Sequence, residues 1–433
     1  MMFNKEFPSV IKYMGSKTEV LDLIEAGYNY LRKDYDYVCD LFAGSATLSG
    51  ALRGKIRVVS NDIQTYSAVL TRAYLNNYDW DSYPSIEEIS QAAEDRARRI
   101  FKKNADLYKR FSYDKNIELD EFKIMEDAER QLIKSNDWKT YGEYYLFTKN
   151  YSGTYWSYQQ CVLIDSYRAV IDEYKNKPEL YSLLLTCLMY AMAYNSQSTG
   201  HYAQYRIPEN KKSMEDILIY RRKSITSFFK NKYIEFQKYA SEPTIYDYTV
   251  SAVRDEECLK KLRPHGLVYA DPPYCFVHYS RFYHILETLV KYDYPEVKYK
   301  GRYRTDRYQS EYCIKTEVVD AFTRMFSNIK KLKLDLLLSY SNSKTNTIEA
   351  DDIIRLLKKI FNGSDELQDV NVKKKYEDFY NSPENVLELS LPTDNYQISL
   401  MKKPYNHSRM GRTVKKTIKV TELLFIVKKI DEK

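Results

Sequence analysis

Leu267-Val268-Tyr269-Ala270-Asp271-Pro272-Pro273-Tyr274 is the stretch whose reading decides the fold. Four apolar residues running into a carboxylate predict a buried parallel strand, and open α/β sheets hold their ligands just beyond the carboxyl ends of such strands. The tetrapeptide Asp271-Pro272-Pro273-Tyr274 is therefore expected in a crevice. Its chemistry suits an exocyclic amino group such as that of adenine, whose lone pair is delocalised into the ring and must be reshaped before it attacks. Asp271 can accept one N–H and the Pro272 carbonyl the other, which draws the nitrogen toward tetrahedral geometry and aims its lone pair at a methyl donor. Two consecutive prolines fix φ and carry no N–H, so Pro273 helps hold that carbonyl in one direction. Tyr274 offers a π-face to a base rotated out of its stack. The plain structural alternative is a strand, a rigid turn with a capping Asp, and a packed Tyr.

The 433-residue chain is long enough for two or more cores, and its 44% hydrophobic content is that of a soluble globular protein. A net charge of +7 permits a polyanionic partner without requiring one. Forty-four tyrosines supply many polar-tipped rings, most of which are read as a compositional bias. The cysteines Cys39, Cys161, Cys187, Cys258, Cys275 and Cys313 are scattered, with no C-x-x-C pair, which favours reduced thiols in a cytoplasmic protein and no metal site. Residues 1–17 lack an apolar export core, and the apolar run Leu180 to Tyr194 is too short to span a bilayer, so no membrane partner is expected.

Along the chain, residues 1–75 alternate helical and strand patterns: a helix over Lys17 to Leu31, a strand at Tyr37 to Asp40, a helix over Thr47 to Arg53, a strand at Ile56 to Ser60. This is a βαβ beginning. From Ser85 to about Phe229 the pattern shifts to long amphipathic segments, clearest at Glu87 to Tyr108 and Asp120 to Ser135. Strand patterning returns at Tyr233 to Phe236, Leu267 to Ala270, Leu334 to Tyr340, Val386 to Leu391 and Thr421 to Val427. The expected fold class is α/β: a mixed, mostly parallel Rossmann-like sheet built from 1–75 and 230–433, with a large, mainly helical insertion over 76–229.

A second site precedes the insertion. After the strand Tyr37 to Asp40 comes Leu41-Phe42-Ala43-Gly44-Ser45-Ala46-Thr47, a turn of small residues that lets backbone approach a ligand closely, without the full phosphate-binding G-x-G-x-x-G. The next strand ends at Asp62, roughly 20 residues on, where doubly wound folds hold ribose hydroxyls. A nucleoside ligand without phosphates fits both features.

These motifs, in this order, resemble the N6-adenine DNA methyltransferases of the alpha group, in a longer-chain subgroup. Ile11-Lys12-Tyr13-Met14-Gly15-Ser16-Lys17 resembles the family's first motif, R-Y-x-G-G-K, with Ser16 in place of its second glycine. Asp40, Phe42 and Gly44 match the D-x-F-x-G-x-G turn, with Ala46 where that turn has its last glycine. The resemblance implies a class I methyltransferase sheet, S-adenosylmethionine as methyl donor held by Tyr13, Lys17, Asp40, Phe42, Gly44 and Asp62, and a role for the insertion in target recognition. Asp247, next to Tyr248, resembles the acidic-aromatic pair beside the donor's adenine, although an Asp between two tyrosines also suits a plain loop. Leu338-Ser339-Tyr340-Ser341-Asn342 resembles the strand-end motif that shapes the target-base pocket.

Several segments suit DNA. Asn195 to Arg206, including Ser198, Thr199, Gly200, His201, Tyr202 and Arg206, packs small, polar and aromatic residues after a helix, as base-edge and phosphate contacts require; Gly153 to Ser157 is similar, and helix caps would look the same. Tyr299 to Tyr308 sets Lys300, Arg302, Arg304 and Arg307 among tyrosines. Arg221 and Arg222 sit on an expected helix with Ile225 and Phe228 inward, and Arg409 and Arg412 on an expected basic hairpin loop. The reading is methyl transfer from S-adenosylmethionine to N6 of a flipped adenine in double-stranded DNA, by a monomer; the resemblance also allows a cognate restriction endonuclease as companion. RNA N6-adenine or DNA N4-cytosine methylation stays open as an alternative, as does an idle nucleic-acid-binding protein on the same scaffold. A small-molecule or protein amine methyltransferase would leave the basic loops without a purpose.

Overall fold

The computed structural model describes residues 1–113, 116–198, 200–276, 278–343, 345–363, 370–382, 384–391, 394–406 and 419–430. The central strands are Tyr37–Asp40 (β1), Arg57–Asn61 (β2), Tyr248–Ser251 (β3) and Gly266–Ala270 (β4); a small hairpin of Val297–Lys298 (β5) and Tyr303–Arg304 (β6) follows. Asp335–Ser341 (β7), Val386–Glu388 (β8), Tyr396–Asn406 (β9) and Lys419–Lys429 (β10) complete the set. Eight strands form one sheet in the order β3-β2-β1-β4-β7-β10-β9-β8. The first five run parallel, with Val38 opposite both Val58 and Leu267, and Val268 opposite Leu336. β10 enters antiparallel to β7, Leu424 facing Ser339, and β9 and β8 continue antiparallel.

Period-two alternation puts successive side chains of these strands into different cores. Val38, Val58, Leu267, Tyr269, Leu337 and Leu424 pack on one face with helices Leu21–Leu31 and Thr47–Leu52, while Cys39, Val268, Leu336, Leu338 and Phe425 pack on the other with helices Val318–Lys331 and Ala350–Leu357. The chain turns left from β1 to β2 and later returns to its right at β4, so the order reverses between β1 and β4. That switch point is where an open sheet leaves a crevice at its carboxyl edge.

Helices occupy residues 86 to 239 between β2 and β3, beginning with the capping box of Ser85 and Glu88 and ending with Ile225–Tyr239. Their core is shared: Tyr66, Val69 and Leu70 from the helix after β2, and Tyr283, Ile285 and Leu289 from beyond β4, pack with Leu146, Trp156, Leu184 and Phe229. No helix among the described residues is long and apolar enough to cross a membrane.

Four local expectations change. Tyr233 to Phe236 is not a strand but part of helix Ile225–Tyr239, because the buried set Ile225, Phe229, Tyr233 and Phe236 recurs every three to four residues and Ser224 caps its start. The strand expected there is β3, which starts twelve residues after Phe236 and is short enough to be missed. β9 was also unread, its apolar positions broken by Lys402, Lys403 and Pro404. The helix carrying Arg221 stops at that residue, so Ile225 and Phe228 belong to the next one.

Candidate active site

A cleft opens at the carboxyl edge where β1, β2 and β4 end. Tyr13, Lys17, Asp40, Phe42, Gly44, Asp62 and the tetrapeptide Asp271 to Tyr274 all line it. Residues 258 positions apart in sequence thus meet because three parallel strands deliver their C-terminal carboxylates to one place.

Asp40 ends β1 and is 1% exposed; its carboxylate accepts a bond from Ser49 Oγ at 3.1 Å, and burial pushes its pKa up to about 7. Asp62 follows β2 and accepts from the Gly44 N–H at 2.9 Å and the Gln64 N–H at 2.8 Å; burial raises it to about 6 against the pull of those bonds. The bond from Gly44 ties the glycine turn to the second strand. Gly44 has φ 52°, and a Cβ there would lie 2.9 Å from Tyr13 Oη, so no other residue fits without moving the ring. Tyr13 in turn stacks on Tyr283, with centroids 4.6 Å apart, and on Tyr279 at 5.7 Å. Ala46, buried at φ 58°, takes the left-handed conformation that the glycine of the resembled turn would take without strain.

Asp271 follows β4. Its Oδ1 lies 3.0 Å from Lys17 Nζ, which also donates to Glu422 Oε1 at 2.8 Å. Burial pushes the Asp271 carboxyl up to about 7, with the Lys17 ammonium opposing and the Glu422 charge adding to the rise. Lys17, although buried, is held well above its ordinary pKa by the two carboxylates. Beyond Asp271, the Pro273 carbonyl lies 3.9 Å from Cys313 Sγ and the Tyr274 carbonyl accepts from the Thr347 N–H at 2.9 Å, whereas the Pro272 carbonyl takes no hydrogen bond from the described residues. The tetrapeptide is anchored downstream and leaves that acceptor open. Tyr274 packs against Tyr340 with centroids 4.9 Å apart, and Lys17 Nζ stands 5.7 Å from its ring centre.

The cleft thus combines a turn whose Cβ-free position allows close approach with carboxylates at the ends of β1 and β2. Two lining residues are not legible in the sequence. Asp255 opens a short helix after β3 and accepts from Tyr312 Oη at 2.7 Å. Tyr279 lies in the turn after the tetrapeptide. Behind the lining, the fully buried Glu422 reaches the site through Lys17; its signal is a lone acid inside the apolar run of β10, visible once that strand is known to run antiparallel.

Asp247 is the one donor-site expectation the structure does not bring to the cleft. It precedes β3, at the amino edge of a parallel strand, where its largely exposed side chain lies 3.5 Å from Arg57. Placing the strand at Tyr233 to Phe236 had put Asp247 after a strand rather than before one.

The DNA expectations divide by what each charge already does. Arg221 is fully buried: Nη2 donates to Glu126 Oε1 at 2.6 Å and to the Thr154 carbonyl at 3.0 Å, so it anchors the Gly153 to Ser157 loop and cannot reach a phosphate. Arg304 is 3% exposed and forks onto Asp293 and Asp306. Arg302 donates to the Asn150 and Arg130 carbonyls. Tyr202 is core, its N–H on the Phe282 carbonyl at 2.9 Å. These four are corrections: a basic stretch in sequence spent its charges inward. Arg206 pairs with Asp216, and Arg222 donates to the Tyr113 carbonyl at 2.8 Å while remaining exposed. Ser198 bonds Ser196 Oγ and the Gly200 N–H, and His201 stacks on Phe282 with centroids 4.2 Å apart. Lys300 stays exposed beside Tyr205, and Arg307 reaches Ser280 Oγ at 3.5 Å without a carboxylate among the described residues. Arg281, unread in the sequence, likewise has no such carboxylate and donates to Tyr303 Oη at 3.1 Å. Thr199, Arg409 and Arg412 lie outside the described residues.

Comparison with known proteins agrees with this geometry. A family model described as D12 class N6 adenine-specific DNA methyltransferase matches residues 13–348. The modification methylase LlaI of Lactococcus lactis subsp. lactis is 23% identical over 360 residues, 81% of this chain and 49% of that protein. The type II methyltransferase M.FokI of Planomicrobium okeanokoites is 25% identical over 345 residues, 77% of this chain and 44% of that protein. The modification methylase StsI of Streptococcus sanguinis is 23% identical over 420 residues, 94% of this chain and 55% of that protein. The chain spans about half the length of these relatives.

Proposed function

Because the chain belongs to the D12 class N6 adenine-specific DNA methyltransferases, we propose that it transfers a methyl group from S-adenosylmethionine to N6 of an adenine flipped out of double-stranded DNA, at a specific sequence, as a modification enzyme. One observation carries the proposal. Asp271 and the Pro272 carbonyl, which takes no bond from the described residues, stand at the mouth of β4, so an amine acceptor pair shares one cleft with Gly44 and Asp62.

The donor supplies a sulfonium-activated methyl group, and the remaining work falls to positioning. Gly44 and Asp62 would hold the donor's nucleoside, and Tyr13 and Phe42, which line the same cleft, would wall it. Asp271, in its charged form, accepts one N–H of the target amine, and Pro272 accepts the other, so the nitrogen lone pair points along the transfer direction. Tyr274 packs on the base. The raised Asp271 pKa, about 7, makes it a ready acceptor for the proton that the methylated nitrogen sheds. Residues 76–229, with the Ser198 to Arg206 loop among them, serve as the recognition region. His201, Arg281, Lys300 and Arg307 meet phosphates, joined by Arg409 and Arg412.

The test is direct. Purified protein incubated with labelled S-adenosylmethionine and duplex DNA should yield N6-methyladenine on digestion to nucleosides; labelled cytosine or unlabelled DNA over many sequences refutes the assignment. Asp271→Ala should lower the rate roughly a thousandfold or more while the donor still binds by calorimetry.

A further inference from the structure

Glu422 is completely buried, lies on the far side of the sheet's switch point, and has no part in the reaction just described. Cores exclude an isolated carboxylate, so its surroundings should say why it is there. Its Oε1 takes two bonds, from Lys17 Nζ at 2.8 Å and from Ser339 Oγ at 2.5 Å. Lys17 spends its other contact on Asp271 Oδ1 at 3.0 Å. Two carboxylates therefore share one ammonium, and Glu422 comes from the opposite end of the chain to Lys17. β10 runs antiparallel to β7, with Glu422 opposite Ser341, so the start of this strand, not its end, reaches the catalytic edge.

The consequence falls on Asp271. Its Oδ1 is shut off from solvent, yet the side chain keeps 17% exposure, so the cleft is faced by the other oxygen. A lysine on a flexible stem would not fix a carboxylate by itself; one clamped by a buried glutamate that Ser339 in turn holds does. We propose that Glu422 is a positioning residue for methyl transfer: it tethers Lys17 so that Lys17 occupies Asp271 Oδ1 and leaves Oδ2 turned to the target amine. This inference rests on the methyltransferase reading above.

Charge gives a readout that mere packing lacks. Asp271 is faced by Lys17 from the segment Lys17–Val20, Glu422 from β10, Tyr269 from its own strand, Asp40 from β1, and the rings of Tyr13, Tyr274 and Tyr279. Glu422 lies within about 6 Å of Asp271, since both touch one nitrogen, and a like charge at that range raises a carboxyl pKa. Glu422→Gln keeps the volume and an acceptor oxygen but removes the charge. The acid limb of the single-turnover rate against pH should move down by about one pH unit, and the plateau rate should fall because the tether is weaker. Glu422→Asp, which keeps the charge, should leave the acid limb near its wild-type position.

Lys17 can be read without any catalysis. In the full chain, acetic anhydride mapped by mass spectrometry should acylate Lys17 far more slowly than exposed Lys5, and Glu422→Gln should speed Lys17 about tenfold. If Glu422→Gln does not fold, Ser339→Ala, which removes only the hydroxyl that fixes Oε1, should raise Lys17 acylation and lower the rate. Unchanged acylation, plateau and acid limb in the variant that folds would overturn the tether. Wild-type protein that guards Lys17, loses that guard in Glu422→Gln, and yet makes no N6-methyladenine overturns the reaction assigned above and leaves the tether standing.

Discussion

Arg221 provides the sharpest separation between a phosphate contact and a structural charge. Its guanidinium and the Glu126 carboxylate are both wholly buried, with Nε at 3.2 Å and Nη2 at 2.6 Å from the same oxygen. Substitution by Met keeps most of the volume but strands Glu126, whose remaining cation is Arg130 at 3.3 Å, and leaves the Thr154 carbonyl to the Gln197 amide alone. Breaking a buried pair by removing one partner costs about 3–5 kcal/mol, against about 0–1 for an exposed pair. The retained Arg130 contact places Arg221→Met at the low end, about 3 kcal/mol by urea denaturation at pH 8. Burial already pushes the Glu126 carboxyl up while Arg221 opposes it, so without Arg221 the carboxyl takes a proton more readily and the deficit should shrink as pH falls. Removing both charges, in Arg221→Met with Glu126→Leu, should recover most of the loss. The slope of log binding constant for duplex DNA against log salt should not change in Arg221→Met. A slope smaller in magnitude by about 0.9, with stability intact, would mean that Arg221 neutralises a phosphate and that the inward pairing is wrong.

Three further outcomes follow from the site. Asp40 has its carboxyl raised to about 7 from 3.8, so the folded state holds the proton more tightly and stability falls as pH rises between those values; Asp40→Asn should therefore gain on wild type by about 2–3 kcal/mol between pH 5 and pH 8 in urea melts, and a constant difference would refute the shift. Gly44→Ala should weaken S-adenosylmethionine binding by calorimetry about tenfold or more, since its Cβ would meet the Tyr13 ring at 2.9 Å and φ is 52°; unchanged affinity would separate that turn from the donor site. Arg281→Gln and Arg307→Gln should each reduce the DNA salt slope by about 0.9 with little effect on folding, and an unchanged slope in both would remove the cleft mouth from the DNA path.

The parallel half of the sheet was legible because each of its central strands is a short apolar run ending on a functional carboxylate: Tyr37 to Asp40 and Leu267 to Asp271 could be read directly, and the cleft follows from their topology. In the antiparallel half the apolar runs at Val386 to Leu391 and Thr421 to Val427 mark β8 and β10, but β9 is not legible. β9 carries Lys402, whose ammonium reaches the Tyr380 and Ser382 carbonyls, so a strand half covered by helix reads as polar. Glu422 was hidden for a related reason, since a functional residue at the start of a strand is expected only when that strand runs backwards. Charge destinations were illegible altogether. Lys300 and Arg304 stand four residues apart in one basic stretch, and only the presence of Asp293 and Asp306 around the second decides that it points inward.

Those inward charges also explain how the recognition loop and the chemistry are coupled. The helical turn after the tetrapeptide makes contact on three sides within three residues. Phe282 takes the Tyr202 N–H on its carbonyl and stacks under His201. Tyr283 accepts the Met14 N–H at 2.6 Å, next to the segment that carries Lys17. His284 bonds the Tyr202 carbonyl at 3.0 Å, and burial with nearby arginines keeps that imidazole neutral. From the other side, Arg302 holds the Asn150 and Arg130 carbonyls, and Tyr303 donates to the Ala203 carbonyl. The loop Gly200 to Arg206 therefore cannot shift without pulling on residues 282 to 284, which lie about a dozen residues from Asp271 and adjoin the lysine segment. Packed cores respond to such a pull as bodies rather than as soft springs. On the proposed function, DNA seated on that loop would act on the alignment of Asp271 with Lys17, which is what a site-specific enzyme requires if a wrong sequence is to be bound without being methylated.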